Sequence, residues 1–329
     1  MKNLYQQLIN GETLNEQDAI LLMNNITNGS YTNEQVASIL TVFIMRPITI
    51  SEITGFRNAL IEASKKIDLS NFDPIDMCGT GGDSKNTFNI STISSIVVAS
   101  CGIPVAKHGN YGVSSLCGSS NVLEELGVKF TTDESKLKSQ LEKSGICFLH
   151  APLFHPALKN VGPIRKSLGV KTFFNMLGPM VNPASPKRQV TGVFSLELAR
   201  IYQYVFQNSH TNFSIIHASD GYDEISLTNS AKVINHLGEK IVLADNFGLK
   251  QLAEKDIYGG SIITEAAQIF KNVINNKGTK EQMDVVFANS AIAINTIYPK
   301  LELEECVAIA KEAVESGKTL KTMKLITEN

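Results

Sequence analysis

Residues 1–70 pair polar starts with apolar residues at helical spacing. Thr13 with Glu16, Thr32 with Gln35 and Thr49 with Glu52 each set a hydroxyl three residues ahead of a carboxylate or amide, the signature of a capping box at a helix N-terminus. Val36, Ile39, Leu40 and Phe43 then recur at i, i+3, i+4 and i+7, and Ile53, Phe56, Leu60 and Ala63 make a second stripe. The pattern predicts a helical unit over 1–70 whose stripes pack on one another or on a second subunit.

From Asp73 the texture changes. Short β-like runs at Pro74–Cys78, Ile103–Ala106, Ile146–Leu149, Gln189–Phe194 and Phe213–His217 alternate with longer stretches of helical character. Such alternation predicts an α/β domain with a central, mostly parallel sheet. Gly169, Gly178, Pro179, Pro183 and Pro186 punctuate Pro163–Pro186, a density that suits a crossing between domains better than a sheet interior. The expected division is therefore a helical domain over 1–70, joined by a returning segment at about 163–186, and an α/β domain made of 71–162 and 187–329.

Charge narrows the partners. The 30 Lys and Arg nearly cancel the 32 Asp and Glu, so no overall basic field holds nucleic acid or an anionic membrane, and a small-molecule partner is expected. Met1 to Gln7 carries neither a basic nor an apolar leader, and no stretch reaches about 18 uninterrupted apolar residues. The expectation is a soluble, cytoplasmic protein. The five cysteines (Cys78, Cys101, Cys117, Cys147, Cys306) form no CxxC pair and have no His at zinc spacing, so each reads as a small buried hydrophobe.

Three polar clusters carry chemistry. In Asp76-Met77-Cys78-Gly79-Thr80-Gly81-Gly82-Asp83, three glycines follow an expected strand, and glycine lets backbone N–H groups approach an anion closely. Thr87 and Asn89-Ile90-Ser91-Thr92 then precede the apolar run Ile93–Ala99, placing hydroxyls and free amides at a helix start, a natural site for pyrophosphate. Alone the loop reads equally as a tight turn; the Ser/Thr helix start tips the reading toward phosphate. Neither a Gly-Lys-Ser/Thr ending nor a GxGxxG in strand–loop–helix context is present, which sets aside nucleotide hydrolases of the P-loop kind and dinucleotide-binding dehydrogenases. The second cluster, Lys107-His108-Gly109-Asn110-Tyr111-Gly112-Val113-Ser114-Ser115, offers an ammonium, an imidazole, an amide and two hydroxyls for phosphate and ribose, or is a solvated connection. The third, Asp220-Gly221-Tyr222-Asp223-Glu224, puts acids after an expected strand, where they supply hard oxygens for Mg²⁺ bridging to substrate phosphates.

With these clusters the chain resembles the anthranilate phosphoribosyltransferases over nearly its whole length. The shared stretches are Gly79–Asp83, Asn89–Thr92, Lys107–Asn110, Ala151–Ala157, Arg165, Phe174–Pro183 and Asp220–Glu224. The resemblance implies a small helical domain on a larger α/β domain, a homodimer through the helical part, and an active site at the hinge. It implies that Gly79, Gly82, Asp83, Thr87, Asn89, Ile90, Ser91, Thr92, Lys107, His108, Gly109, Asn110, Ser114, Ser115 and Ser119 hold PRPP, and that Ser91, Asp223 and Glu224 coordinate magnesium. Anthranilate would lie along Gly79, Asn110, Pro152, His155 and Arg165. Tyr111-Gly112 stands where the family usually has Arg-Ala, Leu116-Cys117 where Lys-Ser is usual, and Asn121 where Asp is common.

The reaction implied is displacement of pyrophosphate from the ribose anomeric carbon by an aromatic amine. Lys107 would act electrostatically and Arg165 would orient the acceptor carboxylate. His108 is the nearest candidate to take the amine proton, with a structural loop histidine the equal alternative, so no general base is assigned. A pyrimidine nucleoside phosphorylase and a non-catalytic nucleic-acid-binding relative are the competing functions. The first lacks support because its Lys-His-Ser-Thr-Gly-Gly loop is missing, the second because Asp223, Glu224 and a formal charge of −2 are present. No motif marks a surface for an anthranilate synthase subunit.

Overall fold

Four helices open the computed structural model, which describes residues 4–112, 118–209 and 211–328: α1 (Leu4–Ile9), α2 (Glu16–Thr27), α3 (Asn33–Met45) and α4 (Ile50–Glu62). Two of the three expected capping boxes form, at Thr32 with Gln35 and at Thr49 with Glu52. The third does not. Asn15 caps α2, its side chain accepting from Asp18 N at 2.9 Å, and Glu16 is drawn instead to Asn58 on α4 at 2.9 Å. An Asn in the cap position itself satisfies the helix donors directly, so Thr13 lies too far upstream to compete. Val36, Ile39, Leu40, Phe43, Ile53, Phe56 and Leu60 are all buried, whereas Ala63 is exposed at the end of α4. Phe43 meets Phe56 edge-on at 5.3 Å, and both rings touch Phe173.

The chain then enters β1 (Ile75–Met77), α5 (Ile90–Ser100), β2 (Val105–Gly109), α6 (Ser119–Glu125), α7 (Glu134–Ser144) and β3 (Ile146–His150). Short helices α8 (Ala151–Phe154), α9 (Gly162–Leu168) and α10 (Phe174–Leu177) cross back toward the N-terminal helices. Val161, Ile164, Phe173, Phe174, Leu177, Met180 and Val181 share one apolar core with α1–α4. After them come β4 (Arg188–Gly192), α11 (Leu196–Asn208), β5 (Asn212–Ala218), β6 (Ala231–Asn235) and β7 (Gly238–Val242), then α12 (Ile263–Ile274), α13 (Lys280–Ile297), α14 (Leu303–Glu315) and α15 (Lys318–Thr327).

Seven strands form one sheet in the order β3-β2-β1-β4-β5-β6-β7. The first five are parallel, and β6 and β7 add an antiparallel hairpin at one edge. The apolar runs of the sequence do not announce β7, because Gly238–Ile241 faces solvent and no apolar face has to be written into it, whereas β6 buries Ala231, Val233 and Ile234. The second core packs α5 and α13 against the sheet, with Ile93, Ile96, Val97, Val286 and Ala293 wholly buried. Among the described residues no helix is long and apolar enough to cross a membrane.

Candidate active site

At the C-terminal ends of β1 and β2 the chain opens a cavity of about 280 Å³, walled on its other side by the returning helices. The glycine loop forms its floor. Cys78 N and Thr80 N donate to Val190 O and Gly192 O at 3.1 and 2.9 Å, which straps the loop to β4. Gly81 N donates to Asp223 Oδ2 at 2.7 Å. A Cβ on Gly79 would sit 2.7 Å from that same oxygen, so only glycine allows this approach. The Gly79 and Gly82 amides keep no intraprotein acceptor among the described residues, and they are the donors left for an anion.

Glu224 reaches the start of α5, where it accepts from Ser91 N at 3.1 Å and Thr87 Oγ1 at 3.4 Å. Asn289 of α13 holds the next residue, accepting from Ile225 N at 3.0 Å and donating to Ile225 O at 2.8 Å. Burial pushes the Asp223 and Glu224 carboxyls above the usual range, and the facing charge of Asp83 adds to both. Two half-buried carboxylates near a third, with a serine hydroxyl beside them, suit a hard cation. Among the described residues no group of three His, Cys, Asp or Glu forms a complete cage; a magnesium ion that keeps waters and shares substrate oxygens needs none. Asp220 takes no part in this pair: it accepts from Thr228 Oγ1 at 2.5 Å and closes its own turn.

The opposite wall is built from nitrogen. Lys107 is buried in the middle of β2, and its ammonium donates to Met77 O below the glycine loop. His108 N donates to Asp76 Oδ1 at 3.1 Å, and its ring Nδ1 lies 2.9 Å from Gly178 O. Burial, helped by neighbouring His155, depresses the His108 imidazole to about 3, while burial raises Asp76 to about 6. His155 Nε2 lies 2.9 Å from Val181 O, and Asn182 Nδ2 donates to Ala106 O at 2.9 Å. These bonds hold Gly178–Asn182 as a strap across the strand ends. Arg165 on α9 has Asn175 Oδ1 at 3.3 Å and the Phe174 ring at 5.3 Å but no carboxylate within ion-pair distance among the described residues. Burial alone lowers its pKa from the ordinary arginine value.

Most residues singled out in the sequence meet in this cavity: Gly79, Gly82, Asp83, Thr87, Asn89, Ser91, Thr92, Lys107, His108, Gly109, Asn110, Ser119, His155, Arg165, Asp223 and Glu224. Two do not line it. Ile90 turns its side chain wholly into the core, and Pro152 is exposed on α8 while its neighbour Ala151 faces the cavity. Ser114 and Ser115 lie outside the described residues. Cys78 lines the cavity rather than filling the core, its thiol pushed up by burial and donating weakly to Gly79 O. Sequence reasoning passed over Lys171, Asn175 and Asn289. Lys171 donates to Gly82 O, and Asn175 accepts from both Arg165 and Thr172 N. Asn175 sat within a quoted motif, whereas Lys171 and Asn289 carry no local signal because their partners are remote in the chain.

Two family models cover the chain: the helical bundle domain of a glycosyl transferase family over residues 2–64 and the a/b domain of the same family over 71–320. The anthranilate phosphoribosyltransferase of Flavobacterium psychrophilum is 55% identical over 328 residues, spanning 100% of this chain and 99% of that protein. The crystal structure of the enzyme of that name from Thermus thermophilus superposes with a TM-score of 0.92 at 30% identity, covering 99% of this chain and 98% of the other. The Saccharomyces cerevisiae enzyme in complex with PRPP and Mg gives 0.90 at 26% identity, covering 98% and 96%. A full-length match at this identity, on a cavity of this make-up, settles the family: the chain belongs to the anthranilate phosphoribosyltransferases.

Proposed function

We infer that the protein transfers the phosphoribosyl group of PRPP to the amine of anthranilate, giving N-(5-phosphoribosyl)anthranilate and pyrophosphate in tryptophan biosynthesis. One observation carries the reading: a single cavity holds surplus half-buried carboxylates on one wall and a half-buried guanidinium without a carboxylate on the other. A magnesium pyrophosphate group answers the first imbalance and the carboxylate of an aromatic acid answers the second.

Asp223, Glu224 and the Ser91 hydroxyl would hold magnesium, which when bound neutralises the departing pyrophosphate. The Gly79 and Gly82 amides and the start of α5 supply fixed dipoles to the same charge. Lys107 is already bonded to Met77 O, so it acts as a fixed positive charge beneath the loop. Arg165, held by Asn175 and Phe174, aligns the acceptor carboxylate so that the amine faces the anomeric carbon. The amine is neutral at pH 7 and attacks without prior deprotonation. His108, depressed to about 3 and tied to Gly178 O, is too weak a base to drive proton removal, so it serves to position the strap.

A homodimer through the helical part is the arrangement supported by Ile9, Leu21, Ile44 and Met45, which stand exposed on α1–α3. The activity is tested by mixing the protein with anthranilate, PRPP and Mg²⁺ and following anthranilate fluorescence. Loss of signal that requires both PRPP and magnesium is expected. A constant signal across magnesium concentrations would remove the assignment.

A further inference from the structure

A second cavity, of about 110 Å³, lies behind the strap at the opposite ends of the strands. Arg57 of α4, Lys187 and Gln189 at the start of β4, and the hydroxyls of Ser209 and Thr211 before β5 line it, and Pro179 borders both this cavity and the larger one. No Asp or Glu is among its lining residues. Arg57 is half-buried, yet its one recorded polar partner is the neutral Asn58 Oδ1 at 3.0 Å, and its Nε, shielded from solvent, has no hydrogen-bond partner among the described residues. Burial is the sole cause lowering the Arg57 pKa from its ordinary value; no acid offsets it.

A guanidinium taken out of water without a countercharge is costly. Apolar side chains of similar length would fill this place more cheaply, and the neighbours supplied instead are a second cation, an amide and two hydroxyls. Ser209 donates to Phe206 O and, at 2.9 Å, accepts from Thr211, so both hydroxyl protons are spent within the protein and the charged donors left to an anion are those of Arg57 and Lys187. We propose that the cavity between α4 and the start of β4 is a binding site for a small oxyanion, held by Arg57 and Lys187 and distinct from the site that faces Asp223 and Glu224. Its volume is less than half that of the larger cavity, enough for a phosphate- or carboxylate-sized group.

The test is thermal unfolding of the full chain in inorganic phosphate, in acetate and in chloride at matched ionic strength, comparing wild type with Arg57→Met and Lys187→Met. Phosphate also enters the larger cavity, but equally in all three proteins, so the difference between them isolates the smaller one. In chloride, Arg57→Met is expected to melt no lower than wild type, because it removes a charge without a partner. In phosphate, wild type should gain more than either variant, with the phosphate midpoint shifted about ten-fold or more by Arg57→Met. A larger gain in acetate than in phosphate would assign the site to carboxylates. Equal gains for all three proteins in both anions would overturn the proposal. So would an Arg57→Met protein that melts lower by the same amount in every salt, the signature of a purely structural arginine. Lys187 is exposed, so its variant keeps the question answerable if Arg57→Met fails to fold.

Discussion

The two walls of the active-site cavity err in opposite directions. On the β5 side, Asp223 and Glu224 are half-buried with Asp83 opposing them, and desolvation pushes their carboxyls up. On the α9 side, Arg165 is half-buried and the imidazoles of His108 and His155 are buried, and all three are pushed down. Each wall alone is an electrostatic cost to folding. Set face to face across one substrate pair, each is the complement of a ligand of opposite charge. The unliganded protein therefore stores in both walls an imbalance that binding relieves, and the contrast predicts different kinetic signatures for the two sides.

The largest effect should come from the carboxylate wall. Asp223→Asn combined with Glu224→Gln is expected to lower kcat/KM by on the order of a thousand-fold or more, while the metal-free melting temperature does not fall, since like charges are relieved. Steady-state fluorescence and calorimetry on the same preparation check both halves. A large loss of stability would show these carboxylates to be structural, breaking the symmetry between the walls. On the other side, Arg165→Lys should raise the anthranilate KM about ten- to a hundred-fold with a smaller change in kcat, because an ammonium cannot reproduce a bidentate contact. Equal losses in kcat and kcat/KM would mean that Arg165 acts in the transition state and not in acceptor binding.

Between the walls sits Asp76, wholly buried beneath His108 N. Its carboxyl is raised to about 6 from an ordinary 3.8, so the folded state holds its proton where the unfolded chain has released it. Stability from this group is complete below about 4 and lost as pH rises through about 6. Asp76→Asn should flatten the fall in melting temperature across that window, and an unchanged slope would assign the pH dependence to other groups.

How much of this was legible depends on the distance over which each signal acts. The caps at Thr32 and Thr49 are written within four residues and form as read; Thr13 misled because Asn15, equally local, competes better. The glycine loop and the acids were visible because a glycine-rich turn and an adjacent pair of acids are short motifs. What the sequence cannot display is how they meet: Gly81 and Asp223, or Ser91 and Glu224, are brought together by the parallel sheet and not by spacing. The same holds for Asn289, an ordinary helix residue until α13 places it against Ile225. The edge strand β7 escaped for the opposite reason, since a solvent-facing strand has no apolar face to encode.

The smallest effect concerns the cavity mouth, where both walls meet solvent. By the resemblance in sequence, Tyr111 takes a place where arginine is expected. Its hydroxyl donates to Glu124 Oε1 at 2.9 Å, and its ring meets His150 edge-on at 4.8 Å. An arginine placed there would face a ready carboxylate partner in Glu124 and open solvent, so little of its charge would remain for a polyanionic substrate. Tyr111→Arg is therefore expected to lower the PRPP KM by no more than about three-fold, with the gain disappearing as salt is raised. Measuring that KM at low and high ionic strength decides the matter. A ten-fold gain that survives salt would mean that the phosphate-binding wall extends out to the mouth, and that Tyr111 costs this protein substrate affinity.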